Sequence, residues 1–188
     1  MITMQTSAAS GYRWKSKDLD RLRDESFLTY EIIDGELIVS RLPHLRHGII
    51  IMAVGQFFRP AVTALGGLVI AEPGIVWSAE AEDNVVPDVA IVLSNRPHLA
   101  TGRILAGCPN IVMEIVSQSS IAVDYVKKRN LYARTSAQEY WIIDWQQTVV
   151  QVWTFTESPA RAIAYTAGQV ITTPLIPGIA IPVDELLG

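Results

Sequence analysis

The chain has 188 residues, of which 49% are hydrophobic and 18% are charged. This composition is typical of one folded globular domain and excludes an intrinsically disordered chain. The apolar runs are shorter than a membrane span, and the first 20 residues lack the apolar core of a signal peptide, so the sequence predicts a soluble cytoplasmic protein without a membrane partner. The single cysteine, Cys108, excludes an internal disulfide and offers no zinc cluster.

The net charge of −4 argues weakly against a nucleic-acid partner. Its distribution qualifies that argument, because residues 41–70 hold 3 basic and 0 acidic side chains, and residues 101–135 hold 5 basic and 2 acidic ones. Local potential, rather than net charge, steers a polyanion to a site. The two segments therefore indicate either a polyanion-binding face or ordinary solvated helix surfaces.

The predicted elements alternate between strands and helices. A short charged helix over 17–25 precedes a hairpin, "TYEIID-GELIVS", whose strands meet at Asp34-Gly35, a favoured tight-turn pair. Apolar residues at helical spacing predict a helix over 46–65, which Gly66-Gly67 ends. The later segments are strands over 68–78, 86–93 and 110–117, a helix over 121–135, strands over 139–144 and 148–155, and a proline-rich tail of edge strands and loops.

This order predicts an α/β fold with helices packed on a sheet. We expect residues 1–26 to form an N-terminal extension with a short helix, and residues 27–188 to form a single domain.

Two acidic residues interrupt apolar strands, Asp88 in "NVVPDVAIVL" and Glu114 in "PNIVMEIVSQSS". A carboxylate in apolar surroundings is costly unless something compensates it. If the two strands are neighbours, the carboxylates approach each other and a cation can lie between them. Hard carboxylate oxygens suit Mg²⁺ or Mn²⁺. The alternative is structural, with each acid paired to a core arginine or capping a loop.

Lys127 and Lys128 lie on the helix that follows the Glu114 strand, where a lysine can reach back over the end of the strand. The structural alternative is an ion pair between Asp124 and Lys128, at i,i+4 on the helix surface.

Several segments together resemble one family, in an order and spacing that are specific although each alone is weak. The chain resembles the Uma-type endonuclease family, long catalogued as a domain of unknown function, whose members are similar to the PD-(D/E)XK nucleases. The resemblance covers roughly residues 27–185. The segments are "YEIIDGEL", "VPDVAIV", "IVMEIVSQSS", Asp124-x3-Lys128-x3-Tyr132, "AQEYWIID" and a histidine that opens the first long helix.

The resemblance implies a restriction-endonuclease-like central mixed sheet flanked by helices, with an N-terminal hairpin and extra C-terminal strands. It makes Asp88 and Glu114 the motif acids, which share Mg²⁺ (or Mn²⁺) with the backbone carbonyl of Ile115. The superfamily lysine usually stands two residues after the acid, where this chain has Val116. Lys128 matches the position to which the family has moved that lysine.

Other residues have weaker indications. His47 matches the helix-opening histidine and is a possible accessory residue, with a structural role equally indicated. Glu31 and Glu36 flank the hairpin turn and are further accessory candidates, although strand alternation turns neither clearly inward. Within the two basic segments, the DNA-binding candidates are Arg46, Lys127 and Arg129.

The favoured function is metal-dependent hydrolysis of DNA phosphodiesters, with Asp88, Glu114 and Lys128 as catalytic residues. The alternative is a non-catalytic nucleic-acid or protein-binding module on the same fold. A purely structural oligomerisation protein would leave Asp88 and Glu114 unexplained. Because a double-strand cut needs two sites, the resemblance also predicts a homodimer, in which the strands "EYWIID" and "TVVQVWTF" and the tail offer apolar edges that could pair.

Overall fold

The computed structural model describes residues 4–5, 11–22, 28–41, 44–118 and 120–188. In chain order the strands are β1 (Met4–Gln5), β2 (Leu28–Ile33), β3 (Glu36–Arg41), β4 (Leu68–Ala71), β5 (Gly74–Val76), β6 (Asn84–Val85), β7 (Val89–Val92), β8 (Ala100–Thr101), β9 (Ile104–Leu105), β10 (Ile111–Ile115), β11 (Glu139–Asp144), β12 (Val149–Thr154), β13 (Arg161–Thr166), β14 (Val170–Ile171) and β15 (Ile181–Pro182). The α-helices are α1 (Leu45–Ala64), α2 (Arg129–Arg134) and α3 (Val183–Leu187); Ser16–Arg21 and Pro97–Leu99 are 3₁₀-helical, and Val123–Lys128 is a π-helical turn.

The central sheet has the strand order β13-β12-β11-β10-β7-β4. It is mixed, because β10 and β11 run parallel while the other neighbours run antiparallel. A second sheet has the order β1-β3-β2-β6-β5-β9-β8, and β14 pairs with β15. The predicted central mixed sheet with flanking helices, an N-terminal hairpin and C-terminal strands is confirmed.

Each face of the central sheet buries its own hydrophobic core. Along β10, Ile111, Met113 and Ile115 point into a core that also contains α1 and the C-terminal segment. Val112 and the following Val116 point into a second core, which lies between the two sheets. Both faces of β10 are therefore covered, which explains why its sequence is a continuous apolar run broken only by Glu114.

The N-terminal hairpin forms as the sequence predicted, because β2 and β3 pair antiparallel and close with Ile33 opposite Glu36. The turn residues Asp34 and Gly35 have φ values of 53° and 73°. Positive φ at both central residues is the requirement of a type I′ turn, whose twist matches that of the flanking strands.

The structure corrects several local predictions. The expected strand over 68–78 is two strands in different sheets, β4 and β5, separated by Glu72 in a left-handed conformation with a φ of 49°. Asp88 directly precedes β7 and does not lie inside it. The expected charged helix is the 3₁₀ segment Ser16–Arg21, and residues 23–25 of that prediction lie outside the described residues.

Two of the proposed pairing edges are also wrong. The segments "EYWIID" and "TVVQVWTF" form β11 and β12, which are interior strands with a neighbour on each side. Their backbone groups already bond within the sheet, so they cannot pair with a second chain. The homodimer stays a prediction, with the tail as its remaining proposed edge, and light scattering during size-exclusion chromatography measures it.

The sequence predicts no membrane-spanning segment. No helix within the described parts of the chain combines the length and the apolar character that crossing a bilayer requires.

Candidate active site

Asp88 and Glu114 lie opposite each other, as the sequence predicted, although Asp88 directly precedes β7 and only Glu114 lies within its strand. The antiparallel register of β7 and β10 pairs Met113 with Val89, so one further step along each chain brings Asp88 opposite Glu114. A hydrogen bond joins the two segments, in which the backbone N–H of Ile115 donates to Oδ2 of Asp88 at 2.5 Å. Both carboxyl groups line the same cavity, which has a volume of about 270 Å³.

Glu114 points between the two sheets because side chains alternate along a strand. Val112 and Val116, which share its face, lie in the core on that side. The second sheet supplies Glu31 of β2, a buried residue whose Oε1 accepts a hydrogen bond from the backbone N–H of Val86 at 2.8 Å. Glu31 therefore faces Glu114 across the gap between the sheets.

Lys128 lies between these two glutamates. Its ammonium nitrogen is 3.0 Å from Oε1 of Glu114 and 3.0 Å from Oε1 of Glu31. The side chain is almost fully buried, since only 4% of the residue is exposed. The structure thus brings together three residues that are far apart in the sequence.

A π-helical turn, and not the α-helix expected over 121–135, carries Lys128 into the site. The turn Val123–Lys128 runs directly into α2. Its i→i+5 bonding widens the helix locally, and such turns are frequent at functional sites. Asp124, Lys128 and Tyr132 are all buried, so the inward stripe is the one that the family spacing contains.

Burial and charge shift the pKa values of this cluster. Burial strongly raises the pKa of Glu114, and the negative charges of Asp88 and Asp124 add to the shift, while Lys128 opposes it. Burial also raises the pKa of Asp124 to about 7. Burial would lower the pKa of Lys128, but the surrounding carboxylates outweigh it and raise that pKa, so the ammonium stays charged. The inner wall of the cavity, formed by Glu31, Asp88, Glu114, Asp124 and Lys128, therefore has more acidic than basic side chains.

His47 is held against Asp88. It lies on the first turns of α1, is buried, and places Nε2 2.9 Å from Oδ1 of Asp88. Burial alone would lower the pKa of His47, yet the hydrogen bond and charge of Asp88 raise it. With Oδ2 bonded to Ile115 and Oδ1 to His47, the Asp88 carboxylate has a fixed orientation.

Two aromatic side chains form the outer wall of the cavity. His44 caps the N-terminus of α1, where its Nδ1 accepts from the backbone N–H of Arg46 at 3.1 Å. Trp145 follows β11 and stacks on His44, with ring centroids 5.7 Å apart and an angle of 29° between the planes. Both rings line the same cavity as Asp88 and Glu114.

The other sequence candidates lie outside this cavity. Glu36 is exposed and forms an ion pair with Lys127 on the protein surface. Arg46 donates to the carbonyl of Leu187 at 2.6 Å, and its guanidinium carbon lies 5.7 Å from the Trp145 ring. Arg129 stacks over Trp153 at 5.0 Å. Part of the positive charge expected for a DNA-binding face is thus engaged within the chain.

Sequence reasoning missed the outer wall and undervalued two acids. His44 and Trp145 carry no sequence signal, since their proximity depends on the packing of α1 beside the end of β11. Glu31 could have been assigned inward only with knowledge of which face the second sheet covers. Asp124 had a signal, because it begins the spacing Asp124-x3-Lys128-x3-Tyr132, but the residue pattern fits a surface ion pair with Lys128 equally well.

The described residues contain no group of three or more His, Cys, Asp or Glu side chains that could hold a metal ion by themselves. Any metal here would need the two motif acids together with backbone and solvent oxygens. That requirement separates Mg²⁺, which retains several waters, from metals that take complete protein cages.

The central mixed sheet with its flanking helices is a restriction-endonuclease-like fold. The structure is similar to the crystal structure of "a putative nuclease belonging to DUF820" from Anabaena variabilis, with a TM-score of 0.78 and 15% sequence identity, over 93% of this chain and 97% of that one. At this identity the likeness shows the fold alone.

The family assignment comes from the sequence. A family model, Uma2, described as "Putative restriction endonuclease", matches residues 16–184, and the chain belongs to this family. The resemblance inferred from the motifs is therefore confirmed. A search of curated proteins found no match.

Proposed function

We propose that this chain is an endonuclease that hydrolyses DNA phosphodiester bonds with a divalent metal ion. One observation carries the proposal. Asp88, directly before β7, and Glu114, within the adjacent β10, line the same cavity, and the ammonium of Lys128 lies beside Glu114. Membership of a restriction-endonuclease family supports the reaction class.

The residues present fit Mg²⁺ or Mn²⁺. Ionised carboxylates have about four lone-pair sites, so the contacts of Asp88 with His47 and Ile115 leave acceptor capacity on both oxygens. The donor set is Asp88, Glu114 and the backbone carbonyl of Ile115, all hard oxygens. Burial raises the pKa values of Glu114 and Asp124, and a divalent cation beside them would favour their ionised forms. When bound, such an ion stabilises negative charge on a phosphoryl oxygen and lowers the pKa of a water molecule.

The protein side chains have separate roles in this proposal. Asp88 and Glu114 hold the ion, and His47 positions the Asp88 carboxylate. Lys128, anchored between Glu31 and Glu114, orients the attacking water or the phosphate with its ammonium. Hydrolysis then forms a bond from the water oxygen to phosphorus and breaks the bond to the leaving sugar oxygen.

Partly exposed cations outside the cavity would contact the DNA backbone. Lys127 and Arg129 flank Lys128 on its helical segment, and we propose them, with Arg46, as phosphate contacts. Each such contact contributes affinity without sequence information and makes binding depend on salt. Lys127→Ala should weaken DNA binding, give a shallower salt dependence and preserve the catalytic rate constant.

The first test is a cleavage assay on supercoiled plasmid in Mg²⁺, Mn²⁺ or EDTA. We expect nicked or linear product with either metal and intact plasmid in EDTA. Asp88→Ala should remove the activity, while His98→Ala, an exposed change far from the cavity, should keep it.

The second test measures the metal without the reaction. Titration calorimetry with Mn²⁺ should show binding that Asp88→Ala abolishes. An ion that binds only the native state stabilises it by about 2.7 kcal/mol at a 100-fold excess over Kd, so Mn²⁺ should raise the Tm of the wild type only. Equal Mn²⁺ binding by both proteins would contradict the metal site, and DNA binding without cleavage would favour the non-catalytic module.

A further inference from the structure

We infer that the His44–Trp145 wall receives an unpaired base, so that the substrate is a DNA strand with an unpaired nucleotide next to the scissile phosphate. This inference rests on the proposed nuclease function and specifies its substrate class. It assigns a recognition role to two residues that the metal and lysine chemistry does not use.

His44 and Trp145 line the same cavity as Asp88, Glu114 and Lys128. A base that touched the wall would belong to a nucleotide whose phosphate lies near the two acids. At about 270 Å³ the cavity is close to the lower limit of the usual range for ligand pockets, so it suits one nucleotide better than a base pair with both of its backbones.

The His44–Trp145 wall is rigid before any ligand arrives. Capping of α1 by Nδ1 fixes the ring of His44. Trp145 starts a turn that Asp144 fixes. The Oδ1 of Asp144 accepts from the backbone N–H groups of Gln146 at 3.1 Å and Gln147 at 3.0 Å. Tyr125 donates to the other oxygen of Asp144 at 3.2 Å. A rigid aromatic surface loses little entropy when a base stacks on it.

His44 is an exposed residue that stacks on the half-buried Trp145 with one face of its ring. Because His44 is exposed, a base that stacked on its other face would extend the stack by one ring. Bases inside a duplex are already stacked on both faces and cannot do this, whereas every unpaired base can, whatever its sequence.

The surrounding side chains suit a nucleotide. Arg41, Ser40 and Gln146 line the cavity beside the aromatic wall and offer hydrogen-bond donors to phosphate and base edges. Arg41 is exposed, so its guanidinium can reach a backbone that enters from solvent.

The test compares two forms of one oligonucleotide. A strand of about 12 nucleotides, within the site sizes of single-strand binding proteins, carries one 2-aminopurine and is used alone or in a blunt duplex. Affinity is measured by fluorescence titration with the full chain in Ca²⁺, and a gel after each titration verifies that the strand is intact. The variants are His44→Ala and Trp145→Leu, with His98→Ala as the matched control for an exposed histidine outside the cavity.

We expect the wild type to bind the single strand about tenfold or more tightly than the duplex, and to quench 2-aminopurine by stacking. His44→Ala and Trp145→Leu should each weaken single-strand binding by about tenfold, the scale of one lost stacking contact, and leave duplex binding within about twofold. His98→Ala should match the wild type. If Trp145→Leu does not fold, His44→Ala carries the test, because His44 is exposed.

Two failures are distinguishable. The inference would be overturned if the wild type bound the single strand and the duplex with equal affinity, or if the variants lost affinity equally for both. Metal-dependent plasmid cleavage would remain intact in either case. No binding to either form and no cleavage in Mg²⁺ or Mn²⁺ would overturn the proposed function, and the inference with it.

Discussion

Glu114 and Glu139 are both carboxyl groups buried in the central strand pair, yet they lie in different chemical surroundings. Glu139 begins β11 directly opposite Ile111 of β10, at the end of the sheet away from the candidate site. Its Oε1 accepts from the hydroxyl of Thr173 at 2.7 Å, and its Oε2 accepts from the indole N–H of Trp141 at 2.8 Å. Both partners are neutral.

The end of the sheet around Glu139 is closed by hydrogen bonds. Asn110 is fully buried, accepts from the backbone N–H of Leu93 at 2.8 Å and donates to Gln138 at 2.6 Å. Arg96 donates to the carbonyls of Cys108 and Ser136. We refer to Arg96, Cys108, Asn110, Gln138 and Glu139 as the closed end.

At the other end, Glu114 faces a cavity, a charged lysine and further carboxyl groups. The hydroxyl of Tyr132, a neutral donor, lies 3.5 Å from its Oε1. The comparison teaches that a buried acid does not by itself mark a site. What distinguishes Glu114 is that its partners are ionic and that space remains beside it.

The largest difference should appear in catalysis. Glu114→Gln removes a charge that the proposed mechanism requires, and we expect cleavage to fall by about 10²–10³-fold or more, the usual cost of losing one electrostatic contributor. The matched variant Glu139→Gln changes the same atoms at the closed end and should cleave plasmid at the wild-type rate. Comparable losses in the two variants would mean that both acids act through the fold.

The second difference concerns stability at the open end. Lys128→Ala leaves Glu31 and Glu114 buried without their cation, and breaking a buried pair in this way costs about 3–5 kcal/mol. Lys127→Ala removes only a surface pair with Glu36 and should cost less than about 1 kcal/mol. Urea denaturation of the metal-free proteins measures both.

A double variant provides the control for the lysine experiment. Glu31→Gln combined with Lys128→Met removes one charge of each sign, so it should recover part of the stability that Lys128→Ala loses. If Lys128→Ala is as stable as Lys127→Ala, the ammonium of Lys128 does not hold the two sheets together.

The third prediction is that the free energy of unfolding depends on pH because of Glu139 at the closed end. Burial raises the pKa of Glu139, and the hydrogen bonds from Thr173 and Trp141 only partly oppose it. Between the ordinary and the raised pKa the folded state binds more protons than the unfolded state. The free energy of unfolding contributed by Glu139 therefore falls as pH rises through that interval.

Glu139→Gln should remove this contribution, because the amide is neutral at every pH. The hydroxyl of Thr173 can rotate to accept from the new amide while the Gln oxygen keeps the indole N–H. Between pH 4 and pH 8, the denaturation midpoint plotted against pH should have a different slope in the wild type and in the variant. At neutral pH the variant should be as stable as the wild type or more stable. Parallel curves would show that Glu139 does not titrate in this range.

Local sequence signals predicted the elements well. The Asp34-Gly35 turn and the helical spacing of α1 depend on nearby residues, and β10 is marked by a continuous apolar run. The approach of Asp88 to Glu114 was also predictable, because it required only that two apolar strands be neighbours. The family spacing selected Lys128 over Lys127, and the structure turns Lys128 inward.

The features that escaped prediction depend on long-range packing. Glu31 is inward because the second sheet covers its face, which alternation within β2 cannot reveal. The π-helical turn places Asp124 and Lys128 together in a way that an α-helical period does not describe. Glu139 shows the opposite error. It is also an acid beside apolar strand residues, Tyr140 and Trp141, so the reasoning that selected Glu114 would equally have selected Glu139 as a site residue.

The smallest expected effect is at Cys108, and it tests whether the closed end is chemically inert. The thiol is buried, and burial raises its pKa to about 11, although a hydrogen bond from Thr135 partly opposes the shift. At pH 8 about one thiol in a thousand would be ionised, and the thiolate is the reactive form. A thiol reagent should therefore label the native protein only as fast as it opens, and label it at once in denaturant. Labelling in native buffer at the rate of a free thiol would mean that the closed end opens readily, and the contrast between the two ends of the sheet would then be one of charge alone and not of access.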